Sequence, residues 1–396
     1  MAKIIKVALL GSFPIGLYQN RVNFWNPRNI VATSWNYNLA YALARIPQLE
    51  VHFLITAPLL KTESIVDENL TIHFLGHLPR LDIINRLSFF RYSKHLVKNR
   101  LRKIKPDLVH GIGTDHIYAY IAVTSGFPNI ITVHGVMQQY VDKMNPPRFA
   151  LARFLAKYEK CSLRKASHLI SINPYVNTFF EREFKGTHYL IENPINPLFF
   201  ESASLKKIYD IIFVGIYDRR KRLLNLIKAF NIITQKIPHK IKLCVVGGQK
   251  DSQYHQEILD YVNSNQLNDW IEFTGQKGQR EISEYMSLSR VLVLPSIEET
   301  APMVISESQA LGIPAVATDV GGIKYMIEDG VHGFIVEPDN VEQLADRIGF
   351  LLDHPAILEK MGETCKKTAR QKYYPSRVAQ KTHAAYLNVL QTNTSF

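Results

Sequence analysis

Val291-Leu292-Val293-Leu294-Pro295-Ser296, followed by Glu298-Glu299-Thr300-Ala301-Pro302, Glu307 and Ala310-Leu311-Gly312-Ile313-Pro314, decides how this 396-residue chain is read. The apolar run is a buried strand that stops at Pro295-Ser296. Pro302 opens a helix, where its missing N–H costs nothing, and Gly312 ends it. Strand, loop and helix in that order form the unit of a doubly wound α/β sheet. The same unit recurs outward. Tyr209–Val214, Lys242–Val246, Trp270–Phe273, Ala315–Ala317 and Gly333–Val336 read as further strands, with helices at Leu223–Ile233, Glu281–Leu288, Val304–Leu311 and Val341–Leu352. An earlier series runs through Val7–Leu10, Val51–Ile55, Thr71–Leu75, Leu108–Gly111, Ile130–Val133 and Leu169–Ile172, with helices such as Asn36–Arg45 and Phe149–Lys165. The chain is therefore expected to be α/β, with two Rossmann-like doubly wound parallel-sheet domains. The Pro/Asn-rich segment from Asn193 to Lys206 is the expected linker. This places one domain at 1–202 and the other from 203 onward. Ligands of such sheets lie beyond the carboxyl ends of the strands.

Composition narrows the function. With 46% hydrophobic and 21% charged residues the chain is an ordinary globular one, which excludes disorder, collagen and coiled coil. No apolar run reaches the roughly 18–20 residues of a membrane span, and the start of the chain reads as a buried strand instead of a signal peptide. Cys161, Cys244 and Cys365 lie far apart, which fits structural thiols in a reduced, intracellular setting. The net charge is +12, and all of it belongs to residues 1–200, which hold 24 Lys and Arg against 12 Asp and Glu. The excess peaks at 80–105, where nine bases oppose only Asp82. Phe90, Val97, Leu101 and Ile104 fall near one helical face of that stretch. Two readings compete: a docked helix with a basic solvated face, or a basic amphipathic helix against an anionic membrane. Nucleic-acid binding is not expected, because no recognition motif accompanies the charge.

No Asp-x-Asp pair stands ready to hold a divalent ion, and neither His-Glu-x-x-His nor His-x-x-Glu-His occurs. Gly11-Ser12-Phe13-Pro14-Ile15-Gly16 lacks the Lys-Ser/Thr of a P-loop, and a dinucleotide fingerprint is missing. The helix opening at Pro302 leaves the N–H groups of Met303 and Val304 free to meet an anion. Glu307, a little over one turn further in, would repel a phosphate but suits a neighbouring diol such as a ribose.

These residues resemble a known family. Glu299 and Glu307, seven residues between them, match the E-x7-E motif of retaining family 4 glycosyltransferases. Pro295-Ser296, Gly312, Pro314, Ala317-Thr318 and Gly321-Gly322 match the frame around it, and Gly330 to Asp339 looks like its continuation. Pro106 to His110, Thr132-Val133-His134-Gly135, Asn193-Pro194-Ile195 and Phe213-Val214-Gly215 with Lys221 and Ala229-Phe230 extend the likeness over nearly the whole chain. The resemblance implies the GT-B fold, in which two Rossmann-like domains face an interdomain cleft, with the second domain ending at 375 and a last helix, about 376–396, crossing back to the first. It implies a retaining, metal-independent enzyme that moves a hexosyl group from a nucleotide-diphosphate sugar to a hydroxyl acceptor. The co-substrate takes the place of a cofactor, and no metal is expected. Carried over by position, Glu299 meets the donor sugar, Glu307 the ribose, Lys221 the diphosphate, and His134 approaches the sugar from the first domain. Gly215, Met303 and Val304 belong to the donor site.

Three departures stand out. Ile216 replaces an arginine common after the glycine, so Arg219 or Arg220 is expected to substitute. Ala301-Pro302 replaces Phe-Gly. The glycine-rich loop of the first domain would align near Asn29-Ile30, after an unusually long segment. The acceptor is expected to be a saccharide or a lipid-linked one, in polysaccharide, lipopolysaccharide or glycolipid assembly. The protein would work in the cytoplasm or on the inner face of the plasma membrane. A sugar-nucleotide epimerase, a hydrolase and an inactive membrane- or nucleotide-binding protein are the alternatives. Retaining hydrolases hold their carboxyls about 5 Å apart, whereas eight helical residues rise about 12 Å.

Overall fold

The computed structural model describes residues 3–18, 20–22, 34–57, 59, 61–76, 90–144, 147, 151–201, 205–236 and 240–393. It divides into two compact units: Met1–Pro194 with Pro375–Phe396, and Ile195–Tyr374. The first boundary falls upstream of the expected 202, because Ile195 and Phe199 are buried in the core of the second unit. The Ile195 amide also donates to the Tyr373 carbonyl at 3.2 Å.

The first unit contains β1 (Ile5–Leu10), α1 (Ser34–Ala44), β2 (Leu49–Ala57), β3 (Glu63–Asp67), β4 (Leu70–Gly76), α2 (Arg91–Ile104), β5 (Leu108–Ile112) and α3 (Tyr118–Val123). It continues with β6 (Asn129–Val133), α4 (Met137–Met144), α5 (Leu151–Lys165), β7 (His168–Ser171), α6 (Asn177–Phe180) and β8 (Thr187–Leu190). The strands form one sheet in the order β3-β4-β2-β1-β5-β6-β7-β8. Val7, Leu9, Phe53, Ile72, Phe74 and Leu108 fill its core. Gly111 is required in β5, because a Cβ there would lie 2.7 Å from the Ala119 Cα of α3.

Two strands escape the sequence reading. β3 pairs antiparallel with β4, so this sheet is mixed at one edge. Its five residues alternate between half-buried and exposed and carry an acidic residue at each end, as suits a guarded edge strand. β8 is four residues long and largely exposed, so it carries no apolar signature.

The second unit contains α7 (Leu198–Glu201), β9 (Tyr209–Val214), α8 (Leu223–Lys236), β10 (Leu243–Val246), α9 (Ser252–Ser264), β11 (Ile271–Gly275), α10 (Gln279–Ser287) and β12 (Ser289–Leu294). It continues with α11 (Met303–Ala310), β13 (Ala315–Thr318), β14 (Gly333–Val336), α12 (Val341–Asp353) and α13 (Pro355–Lys372). All six strands pair parallel in the order β11-β10-β9-β12-β13-β14. Near-continuous apolar strands fit a sheet covered on both faces. The last helix, α14 (Pro375–Asn393), returns to the first unit, where Val378, Ala379, Tyr386 and Val389 join its core.

Strand order reverses between β1 and β5 in the first sheet and between β9 and β12 in the second. Such reversals leave a crevice at the carboxyl ends where ligands bind.

The helix of the basic stretch is docked. Phe90, Val97 and Leu101 are buried, so the apolar face is spent on packing. Two of its bases are also engaged. Lys94 Nζ donates to the Tyr158 hydroxyl at 2.9 Å, and Lys98 Nζ to the Thr124 carbonyl at 2.6 Å. Arg91, His95, Arg102, Lys103 and Lys105 remain exposed. Arg80, Asp82 and Arg86 lie outside the described residues, as do Asn29 and Ile30. Among the described residues, no helix is long and apolar enough to cross a membrane.

Candidate active site

The loops that follow β9 and β12 meet at the reversal point of the second sheet. Ile297 N donates to the Arg220 carbonyl at 3.0 Å, which joins the two loops through the main chain. Asp218 shapes the first loop by accepting from the Lys221 amide at 3.0 Å. Gly247, at the end of β10, is crowded against that loop, since a Cβ there would lie 1.9 Å from the Gly215 carbonyl oxygen.

Glu299 is the hub of the site. Its side chain is only 8% exposed. The Lys221 ammonium donates to Oε1, and Ser296 Oγ donates to the same oxygen at 2.8 Å. Arg220 Nη1 lies 3.6 Å from that oxygen and donates to the Glu298 carbonyl at 2.8 Å. The main chain of the loop is fixed as well. Gly322 N donates to the Glu299 carbonyl at 3.1 Å, and the Thr318 hydroxyl donates to the Ser296 carbonyl. Ser296, Thr318 and Gly322 thus hold the loop that presents Glu299, which gives the residues framing the two glutamates a physical purpose.

Of the two arginines expected to replace the one missing at Ile216, only Arg220 reaches this cluster. Arg219 turns to α9, where its guanidinium donates to both Glu257 oxygens at 2.6 and 3.1 Å. It also lies 3.4 Å from Asp251 and over the Tyr254 ring. Two carboxylates and an aromatic face outcompete the loop for it. Gly215 does border the site, with Lys221 Cε 3.8 Å from where its Cβ would stand.

Helix α11 begins at Met303, and Pro302 before it makes no side-chain cap. Its first N–H groups, those of Met303 and Val304, therefore have no partner within the helix. Glu307 sits further along the same helix. It is half-buried, and its carboxylate has no hydrogen bond or ion pair with any described residue. Burial pushes its carboxyl up to about 7. A carboxylate in that position gains from hydroxyl donors.

His134 belongs to the first unit, just past the end of β6. Its Nε2 donates to Asn193 Oδ1 at 2.9 Å, which leaves Nδ1 as the acceptor nitrogen. The Trp35 ring lies 5.6 Å away. Burial takes the imidazole down to about 4, so the ring is neutral at pH 7. Beneath it, His110 bonds the Tyr386 hydroxyl at 2.7 Å and the Thr132 hydroxyl at 2.6 Å.

The sequence reading omitted Asp218, Asn193 and Ser296 as site residues. Asp218 was detectable, because an Asp three residues before a helix-proximal Lys is a turn signal. Asn193 lies 59 positions from His134 and no local pattern links them. Among the described residues, no cluster of three or more His, Cys, Asp or Glu could hold a metal ion.

Two doubly wound α/β units, each with one reversal of strand order, fit the GT-B fold, and comparison with known proteins agrees. The family model described as "Glycosyl transferases group 1" matches residues 195–372, and that described as "Glycosyltransferase Family 4" matches residues 32–197. An uncharacterised glycosyltransferase of Methanocaldococcus jannaschii is 25% identical over 339 residues, 83% of this chain and 87% of that protein. The fold is similar to sucrose-phosphate synthase of Thermosynechococcus elongatus, with a TM-score of 0.74, 20% identity, and coverage of 98% and 100% of the two chains. It is also similar to Anabaena HepE solved with UDP, with a TM-score of 0.71, 14% identity, and coverage of 97% and 100%. The chain belongs to the family 4-like glycosyltransferases of GT-B fold.

Proposed function

We propose that this glycosyltransferase is a retaining, metal-independent enzyme that moves a hexosyl group from a nucleotide-diphosphate sugar to a hydroxyl acceptor in polysaccharide, lipopolysaccharide or glycolipid assembly. The observation that carries this reading is the junction of Lys221, Arg220 and Glu299 at the reversal point of the second sheet, with the unpartnered Glu307 on the next helix. The UDP held by HepE supports a uridine nucleotide as one candidate donor.

The Lys221 ammonium is held by Glu299. A bound diphosphate competes for it and adds the N–H groups of Met303 and Val304. The Glu299 carboxylate then turns to hydroxyls of the donor sugar, and Glu307 accepts from the ribose diol. In the transfer step the bond from the anomeric carbon to the diphosphate oxygen breaks, and its electron pair stays on that oxygen. The acceptor oxygen bonds the same carbon on the same face, and its proton passes to the departing phosphate. Charge building on the phosphate is met by Lys221, Arg220 and the helix start. Preorganised groups of this kind are worth about 3–4 kcal/mol each.

Nucleotide release from UDP-, GDP- and ADP-sugars, measured with and without acceptor extracts, tests the reading. Acceptor-dependent release that survives EDTA is expected. Release without sugar transfer would indicate a hydrolase, and loss in EDTA with rescue by a divalent ion would refute metal independence.

The exposed bases of α2 support an electrostatic contact with an anionic membrane, made without its buried apolar face. Reversing Arg91, Arg102, Lys103 and Lys105 together should abolish co-sedimentation with phosphatidylserine vesicles. Wild-type protein that never sediments removes the contact.

A further inference from the structure

Glu159 lies in the middle of α5, only 2% exposed, and no step of the proposed transfer uses it. Its carboxylate gathers three donors from two separate loops. Oε1 accepts from the Thr114 hydroxyl at 2.8 Å and from the Met137 amide at 3.1 Å, and Oε2 accepts from the Gln138 amide at 3.0 Å. Thr114 belongs to the loop after β5. Met137 and Gln138 open α4, directly after the loop that carries His134. The Thr114 hydroxyl also lies 3.2 Å from the Gly135 carbonyl, within donating distance of the residue next to His134.

A buried acid in a purely structural place would be expensive. Burial pushes the Glu159 carboxyl up to about 7, against the pull of Gln138, Thr114 and Met137. A cavity of about 320 Å³, lined by Val133, Val136, Gln138 and Glu159 itself, adjoins the loop. Hydrogen bonds to one carboxylate thus join the two segments, beside the bond from His134 to Asn193.

We propose that Glu159 is a positioning residue for glycosyl transfer: it ties the loop after β5 to the loop after β6 and so fixes where the His134 ring stands. The proposal rests on the reading of His134 as a group that meets the donor sugar. Glu159→Gln keeps the size but puts an NH2 group against an N–H donor, so at least one of the three bonds must break. Small displacements of positioned groups cost roughly 10–100-fold in rate.

The test uses the full chain, the UDP-, GDP- or ADP-glucose that the wild type turns over, and the His134 ring signal by NMR, assigned with His134→Gln. For Glu159→Gln a kcat lowered roughly 10–100-fold, a donor KM within about threefold, and a moved His134 signal are expected. Unchanged kcat, or a change confined to KM, overturns the proposal. If Glu159→Gln does not fold, Thr114→Val should lower kcat and Thr114→Ser should restore it, and equal rates for the two overturn it. If the wild type turns over none of the three donors, the transfer reading fails and the NMR arm decides alone. A His134 signal unmoved in Glu159→Gln, or in Thr114→Val where the former is unfolded, then overturns the positioning role, and a moved one supports it.

Discussion

The reversal points of the two sheets share a topology and differ in chemistry. In the second unit the crevice between β9 and β12 is charged: Lys221 and Arg220 gather at Glu299, and Glu307 waits on the next helix without a described partner. In the first unit the side chains around His134, at the carboxyl ends of β5 and β6, are imidazole, hydroxyl and amide groups, and the Glu159 carboxylate is taken up by the segments that follow these strands. His110, Thr132, His134 and Asn193 are joined by hydrogen bonds, and burial keeps both imidazoles uncharged. One doubly wound frame thus carries charged side chains at its reversal point in one copy and hydrogen-bonded imidazole, hydroxyl and amide groups in the other. The difference comes from side chains at the crevice, since the order reversal is shared.

The sharpest way to break this contrast is to discharge the second crevice. Lys221→Ala should lower turnover by roughly 10²–10³-fold, the usual cost of removing one preorganised charge. A variant that keeps most of its rate in a nucleotide-release assay would mean that the phosphates are held elsewhere. Glu307→Ala comes next and should weaken nucleotide binding about tenfold, by one or two hydrogen bonds. Isothermal calorimetry with UDP, GDP and ADP reads it, and an unchanged dissociation constant would remove Glu307 from the ribose.

The two units should also respond to pH with opposite sign. His73, His110 and His134 are held by burial at about 3, 3 and 4. Each favours the fold as a neutral ring, so its contribution is complete above the ordinary 6.5 and is lost as pH falls towards 4. Glu307 is held up to about 7. Its contribution is complete below the ordinary 4.5 and is lost as pH rises through 7. Glu159 and Asp115, both raised by burial, oppose the trend in the first unit and His332, lowered by burial, opposes it in the second, but the three imidazoles and Glu307 carry the larger shifts. Hydrogen exchange, corrected for intrinsic rates, should show the first unit loosening on acidification and the second on passing from pH 5 to 8. Identical profiles for the two units would contradict the assignment. The smallest expected effect separates the arginines. Arg220→Ala should weaken nucleotide binding several-fold, and Arg219→Ala should leave it unchanged, because its guanidinium is spent on Glu257 and Asp251. The reverse order would show that the loop rearranges when ligand enters.

The same contrast explains what could be read in advance. In the second unit strand, loop and helix are short-range features, and Pro295, Pro302 and Gly312 punctuate them, so the six strands and the position of Glu299 were legible. The Lys221–Glu299 pair spans 78 positions and was reached only through the family likeness. What separates Arg219 from Arg220 is written on α9, in Asp251, Tyr254 and Glu257, far from either. In the first unit β3 and β8 lack apolar runs because they lie at sheet edges. The Glu159 network joins residues 21 to 45 positions apart, and a lone glutamate on an amphipathic helix looks like any solvated one. The basic stretch shows the opposite error of emphasis, because its apolar face was visible and its partner surface was not.

A structure determined after soaking with an intact nucleotide-diphosphate sugar tests the central claim most directly. The diphosphate should sit within hydrogen-bond reach of Lys221 Nζ and the amides of Met303 and Val304, with the ribose hydroxyls on Glu307 and the Lys221–Glu299 contact loosened. A nucleotide seated away from both Lys221 and Glu307, with that ion pair intact, would contradict it.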